Sequence, residues 1–453
     1  MKKNIGLITS NKMFLLLAFF TAVFAYTNNG ERYNSIILTV FLLTGLGALY
    51  GLFLSIDKKA ISINKTYCLF HYFFFSLAPI IQFKNSSTFH FKGYIEDAAY
   101  LKSGQVVLIS LVTYLWVYKW LYSIKIKYSN PLSSNNNSQS FKTINHKKLI
   151  VFSYLLAFIS IVFYLYLLKF KWDLLIYRPF SYDLKNNTNL GLVGYSLLLI
   201  VRLIPFIVLM NYILLGFKKN KYAFGLLVFV LFSCFPTALS RGILAIIYIP
   251  LVVIYMPILS KKNYYIGMYC LGILVVFPLF NMVRDLRTVG LRVSYKLFDT
   301  GHFDAFQNFT LLLREKIITN GEQLLTSVLF FVQENTWPNK PPGTGHLMGE
   351  KLYFEYLNIS MPWIGEGYAN FGYFGVFAFI FIIAIVNVFL DRCKLKNKWI
   401  NFYFYMFLGY EFYLLRGDLW SASKIFVSFT LAIVLVSVTN SLWMNISKGK
   451  IKG

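Results

Sequence analysis

Residues 190–216 read Leu190-Gly-Leu-Val-Gly-Tyr-Ser-Leu-Leu-Leu-Ile-Val-Arg202-Leu-Ile-Pro205-Phe-Ile-Val-Leu-Met-Asn-Tyr-Ile-Leu-Leu-Gly216, an apolar run broken by one charge. About 20 mostly apolar residues in a helix cross the hydrocarbon core of a bilayer. This run therefore predicts a membrane span. Eleven more runs of the same kind lie at 13–27, 35–56, 67–83, 104–123, 149–168, 223–239, 243–260, 264–282, 367–390, 400–415 and 420–443. The expected fold is an all-α polytopic membrane protein of about twelve transmembrane helices. Helices 1–9 occupy 1–282, one large loop occupies 283–366, and helices 10–12 with a tail occupy 367–453. No small-residue cleavage site follows the first apolar run, so Met1–Lys12 reads as the lead-in to a retained helix.

Composition agrees. The 453 residues are 57% hydrophobic and only 14% charged, with a mean hydropathy of +0.58. Ordinary soluble domains carry about 25% charged residues, so a soluble enzyme and a disordered chain are both excluded. The net charge of +26 would suggest nucleic acid in a soluble protein. Here the charges cluster between apolar runs, which is the pattern of membrane topology, and no nucleic-acid partner is expected. Cys68, Cys234, Cys270 and Cys393 are scattered, with no zinc-type spacing.

Lysine sets the orientation. Alternate connections hold Lys2, Lys3 and Lys12; Lys58, Lys59 and Lys65; Lys125 to Lys148; Lys218 to Lys221; Lys261 and Lys262; Arg392 to Lys398; and Lys448 to Lys452. Asp57 and Asp391 are the acids on that side, which is therefore cytoplasmic and carries both termini. Neither an acidic DxD metal motif nor a GxxxxGK[ST] phosphate loop occurs, and 132–140 (Leu-Ser-Ser-Asn-Asn-Asn-Ser-Gln-Ser) reads as linker. The chemistry is expected on the other face. There the 283–366 segment shows helical periodicity around 303–318 and 321–333, then a break at Pro338, Pro341, Pro342, Gly343 and Gly345. It reads as a small folded cap on the outer membrane surface.

Nine of the ten arginines, all but Arg392, fall on the outer side or in the membrane. Arg carries a planar fork of donors that matches phosphate and carboxylate, whereas Lys is a point charge. The bias points to an anionic ligand at the outer surface, although pairing with the outer acids explains some of these residues equally well. Arg241 occupies the turn Ser240-Arg241-Gly242 between two apolar runs. Arg202 lies mid-helix, where a charge costs about 2.5–3.5 kcal/mol or more. It calls for a polar cavity or a buried partner, for which Glu411 is available. Arg284, Arg287 and Arg292 follow the ninth span, and Arg416 opens Arg416-Gly417-Asp418. Glu366 enters the tenth helix in Gly365-Glu-Gly-Tyr-Ala-Asn-Phe-Gly372-Tyr-Phe-Gly375, either as a helix-end acid or as a base. Asp304, His302 and His346 are the other outer candidates for a base.

An outer-turn Ser-Arg-Gly, an Arg284-Asp-x-Arg287 opening to a long loop, Gly-Glu-x-Tyr-x-Asn-Phe-Gly-x-x-Gly into a late helix, and a late Arg-Gly-Asp occur in that order. Together they resemble the Wzy-type O-antigen polymerases, the oligosaccharide repeat-unit polymerases of bacterial surface polysaccharide. The motif-level part is confined to roughly 240–292 and 360–418. The resemblance implies a GT-C-like, metal-independent glycosyltransferase of the bacterial inner membrane, without a cofactor. Such an enzyme moves the growing glycan from undecaprenyl pyrophosphate to the non-reducing end of a new undecaprenyl-pyrophosphate-linked repeat unit at the periplasmic face. It implies lipid-linked oligosaccharides, membrane lipid and a chain-length regulator as partners. It also implies pyrophosphate handling by Arg241, Arg284 and Arg416, with Glu366 as a catalytic candidate. Arg202, Arg287, Arg292, Asp304, His302 and His346 are candidates for substrate contact.

The chemistry of the residues fits that expectation. A sugar hydroxyl leaves only when protonated, which is why glycosidases use two carboxyl groups. Lipid pyrophosphate leaves without protonation once its charge is held. The rivals are an O-antigen ligase, which passes the glycan to lipid A core and depends on a loop histidine, and a lipid-linked-sugar flippase or transporter. A flippase would show two similar halves, which are not visible here.

Overall fold

The apolar runs become helices in the computed structural model, which describes residues 2–27, 30–54, 59–124, 146–176, 192–218, 220–261, 263–279, 298–333, 335–393 and 398–449. In chain order the helices are α1 Lys2–Thr27, α2 Ser35–Phe53, α3 Ile63–Lys84, α4 Asp97–Ser123, α5 His146–Leu167, α6 Leu192–Tyr212, α7 Lys221–Ser233, α8 Arg241–Tyr255 and α9 Tyr264–Leu279. Then follow α10 Ala305–Arg314, α11 Glu322–Val328, α12 Thr344–Lys351, α13 Trp363–Cys393, α14 Lys398–Arg416 and α15 Leu419–Gly449. No strand occurs among the described residues. Polar side chains begin several helices where first-turn amides lack partners. Asn34 accepts from Ile36 and Ile37, Asn220 from Tyr222, and Ser240 from Ile243.

Each of the twelve expected spans overlaps a helix among the described residues. Eight stretches among them are long and apolar enough to cross a membrane: α2 to α6, α13, α15, and Lys221–Ala238, which is α7 with the short turn after it. The architecture is that of a helical membrane protein. Helices α1, α8 and α9 offer shorter apolar stretches, and α14 is rich in Tyr and carries Glu411 in its C-terminal half. The surroundings of α14 explain its polarity, because it packs against α3, α8 and α13, so protein rather than lipid receives much of its surface.

The α8–α14 contact positions the site. A Cβ added at Gly409 would overlap the Ala245 carbonyl oxygen, and one at Gly242 would strike the Tyr413 ring. Two glycines thus let antiparallel helices touch, bringing the start of α8 and the end of α14 to the same end of the bundle. Gly409→Ala is expected to push these backbones apart at a cost of about 1–3 kcal/mol. A lowered midpoint of thermal unfolding for the detergent-purified protein would report it, and an unchanged midpoint would contradict the close crossing.

Two expectations change, and one feature is new. The 240–242 turn is longer than the sequence suggested: α7 ends at Ser233, Pro236–Ala238 forms a single 3-10 turn, and Arg241 is the first residue of α8. The 283–366 segment is also more than a surface cap. All of Ala305–Leu313 on α10 is buried, with Phe306 edge-on to Phe41 at 5.1 Å. Its polar residues go in because they are satisfied: Gln307 donates to the Ser87 carbonyl and Asn308 to Ser360. Finally, Gly372 and Gly375 serve a break inside α13 itself. Gly372 adopts φ 62°, and Gly367 and Gly375 pack backbone to backbone. Only glycine tolerates both demands. Asn370 at this break accepts from the Leu324 amide, and the Ala369 carbonyl accepts from the Thr319 amide, so the motif fastens α11 to α13.

Candidate functional site

The crossing of α8 and α14 delivers Arg241 and Arg416, and the short helical turn Gly301–Phe303 that precedes α10 meets both. Arg241 Nη1 and Nη2 lie 2.8 and 3.1 Å from the two ring nitrogens of His302. Its guanidinium also stands over the Phe277 ring at 4.7 Å. Arginine only donates, and a neutral imidazole has a single acceptor nitrogen, so one of these two contacts is a hydrogen bond and the other is close approach only. Arg416 donates to Asp304 Oδ1 at 3.2 Å and to the Gly301 carbonyl at 3.3 Å. The Arg416 Nε is buried with no acceptor among the described residues.

Asp304 is the hub. Its side chain is 3% exposed, and besides Arg416 it accepts from the Ser360 hydroxyl at 2.7 Å and faces His90 Nε2 at 3.3 Å. Burial alone would raise the Asp304 carboxyl, but the Arg416 charge and the His90 and Ser360 hydrogen bonds outweigh it and hold it below the usual range. A depressed pKa gives stability that is fully present above the unfolded value and is lost as pH falls through the folded one. The Arg416–Asp304–His90 linkage is therefore intact at neutral pH.

Chemically this is a cationic fork beside an imidazole, next to an ionised carboxylate that orients a second imidazole. Arg241 additionally sits on the first turn of α8, where the positive end of the helix dipole favours anions. The arrangement can receive a multivalent oxyanion and, alongside it, accept a proton. Among the described residues no three His, Cys, Asp or Glu side chains gather as metal ligands.

The other candidates scatter. Glu366 is 1% exposed, with its oxygens accepting from the Thr344 hydroxyl at 2.6 Å and the Leu419 amide at 2.9 Å. It joins the starts of α12, α13 and α15, the helix-end role that the sequence offered beside that of a base. Asp418 completes the joint, accepting from Gly345 and Trp420 amides; burial pushes its carboxyl up. His346 lies on α12 rather than in an open loop, half exposed and 3.0 Å from Glu350 one turn on. Arg202 does not pair with Glu411. It donates to the Ser233 carbonyl at 2.8 Å and the Ala238 carbonyl at 3.4 Å, taking up acceptors at the end of α7, while Glu411 accepts from Asn387 at 2.5 Å. Arg284, Arg287 and Arg292 lie outside the described residues. Two further arginines are ordinary structural pairs, Arg32 with Asp97 at 2.8 Å and Arg314 with Glu315 at 2.7 Å.

His90 and Ser360 were missed by sequence reasoning. Nothing in Thr88–Phe91 or Ile359–Met361 marks them locally, and their meaning comes from Asp304, 214 and 56 residues away. In comparisons with known proteins, no family model matches this chain, and neither does any curated protein or solved structure.

Proposed function

We propose that this protein polymerises lipid-linked oligosaccharide repeat units, as a metal-independent glycosyltransferase resembling the Wzy-type O-antigen polymerases. The observation that carries the reading is the convergence of Arg241–His302 and Arg416–Asp304–His90 on one end of the bundle. In this reading that end is periplasmic, the bundle has twelve spans, and both termini are cytoplasmic in a bacterial inner membrane.

The roles follow from the chemistry. Arg241, with the amides of the first turn of α8, takes the pyrophosphate of the donor lipid. Preorganised donors at developing negative charge are worth about 2.7–4 kcal/mol each. The departing lipid pyrophosphate then needs no acid. His90, held by Asp304, accepts the proton of the attacking sugar hydroxyl on the new repeat unit. Arg416 keeps Asp304 ionised and in place. His302 changes partner with the substrate: when pyrophosphate draws the Arg241 fork away, the His302 nitrogen that faced it is released.

Deleting the gene tests the reading. Cells are expected to keep polysaccharide core carrying at most one repeat unit, because capping the core is a separate activity, and to lose the long-chain ladder on a gel. A normal ladder would overturn it. A ligase reading has one observation in its favour, the loop histidine His302 set against Arg241. It predicts a different deletion pattern, with long lipid-linked chains but none on lipid A core.

A further inference from the structure

Beside the ionic cluster, the segment 352–361 is pinned in place while it holds two side chains outward. Phe354, Ile359 and Met361 are buried, the Phe354 amide donates to the Gly349 carbonyl at 2.8 Å, and Gly345 packs directly on the Ile359 backbone. Between these anchors Tyr356 is 56% exposed, and Asn358 donates to its phenol oxygen at 3.1 Å. Tyr353 is 93% exposed and adopts φ 56°, a left-handed conformation that strains a side-chain-bearing residue. The His90 ring stands 6.4 Å from Tyr356 and 6.2 Å from Phe354, centroid to centroid, tilted by 32° and 35° to these rings. His90 therefore belongs both to this aromatic segment and to the Asp304 linkage.

We infer that Tyr356 and Asn358, with His90 at their edge, form a saccharide-binding platform that presents a sugar hydroxyl to His90. A pyranose ring has one face of C–H bonds and a rim of hydroxyl groups. The C–H face suits the electron-rich face of an exposed aromatic ring, and the rim suits an amide and an imidazole, which both donate and accept. Rigid exposed aromatics at a membrane protein's rim also suit lipid headgroups. The neighbouring pair Lys92–Glu355, bonded at 2.6 Å with both side chains about four-fifths exposed, suits water rather than hydrocarbon, and Asn358 beside Tyr356 adds the amide that a sugar rim calls for. The assignment rests on the polymerase reading for its role, with the acceptor sugar as occupant. Its recognition chemistry does not depend on that reading.

The test uses purified full-length protein in lipid nanodiscs. Saturation-transfer NMR would be run with methyl β-glycosides of glucose, galactose and N-acetylglucosamine as probes. The wild type is expected to bind at least one of them, with transfer strongest at the ring C–H protons. Tyr356→Ala is expected to weaken it by about tenfold or more, and Tyr356→Trp to restore it, because the aromatic face returns without the phenol. Asn358→Ala serves as the milder second variant, with a severalfold loss. Equal binding by wild type and Tyr356→Ala, or no binding of any probe by wild type, overturns the platform. Gene deletion separates the two ideas. Saccharide binding that needs Tyr356, in a protein whose deletion leaves the polysaccharide ladder intact, upholds the platform and removes the polymerase role. A lost ladder with normal binding by Tyr356→Ala does the reverse.

Discussion

Arg241→Ala is expected to cut polysaccharide chain extension by about 10²–10³-fold, the cost of one preorganised donor at a developing charge. Arg241→Lys should fall by about tenfold to a hundredfold, or about 1.4–2.8 kcal/mol of transition-state stabilisation. The two differ because Lys keeps the charge and loses the fork. A planar fork can hold two phosphate oxygens at once, which a single ammonium cannot do with the same geometry. Protein abundance in the membrane should remain normal, since Ser240 rather than Arg241 caps the first turn of α8. Polymer length distributions at matched abundance are the measurement. Full-length polymer in the Ala strain would remove Arg241 from the site, and near-wild-type polymer in the Lys strain would reduce it to a point charge.

His90→Gln is expected to lower the rate of sugar transfer by about 10²–10⁴-fold, the usual range for general base catalysis. Glutamine retains a donor for Asp304 but cannot take up a proton at neutral pH. The fold should therefore survive, and unfolding midpoints should match wild type. Asp304→Asn is the companion. It removes the charge that faces Arg416 and His90, so Arg416 keeps only the Gly301 carbonyl among the partners described above. A buried ion pair broken on one side costs about 3–5 kcal/mol, and here both stability and rate should fall. If His90→Gln transfers sugar at the wild-type rate, the base lies elsewhere, with His302 next in line.

The contrast between these two residues shows what the sequence made legible. Arg241 was visible because Ser240-Arg241-Gly242 interrupts two apolar runs, and because arginine is otherwise scarce on the lysine-rich side. The helices were visible for the same reason, that a run of apolar residues means the same thing wherever it occurs. The periodicity around 303–318 and 321–333 became α10 and α11. His90 had no such local mark. Its role arises from contact with a residue 214 positions away, and spacing within a segment carries no trace of that.

The failed Arg202–Glu411 pairing has a related cause. Opposite charges at membrane depth suggest each other, yet Pro236 ends α7 early and leaves main-chain carbonyls of Ser233 and Ala238 nearer to Arg202 than any acid. The depth of α10 was hidden too. Gln307, Asn308 and Thr310 look like a solvent-facing set until their acceptors, supplied by Ser87, Ser360 and Phe306, are known. Nor did the sequence show that the glycines of 365–375 serve a contact between two parts of the same helix.

Reconstitution tests the central claim most directly. Purified protein in lipid vesicles would receive undecaprenyl-pyrophosphate-linked repeat units as sole substrate, with lipid A core and the cell's other enzymes left out. The account predicts glycans of two, three and more repeat units on the lipid, with release of undecaprenyl pyrophosphate in step with each linkage formed, and loss of both in Arg241→Ala. Substrate that remains as single repeat units, or that is extended only when lipid A core is supplied, would contradict it.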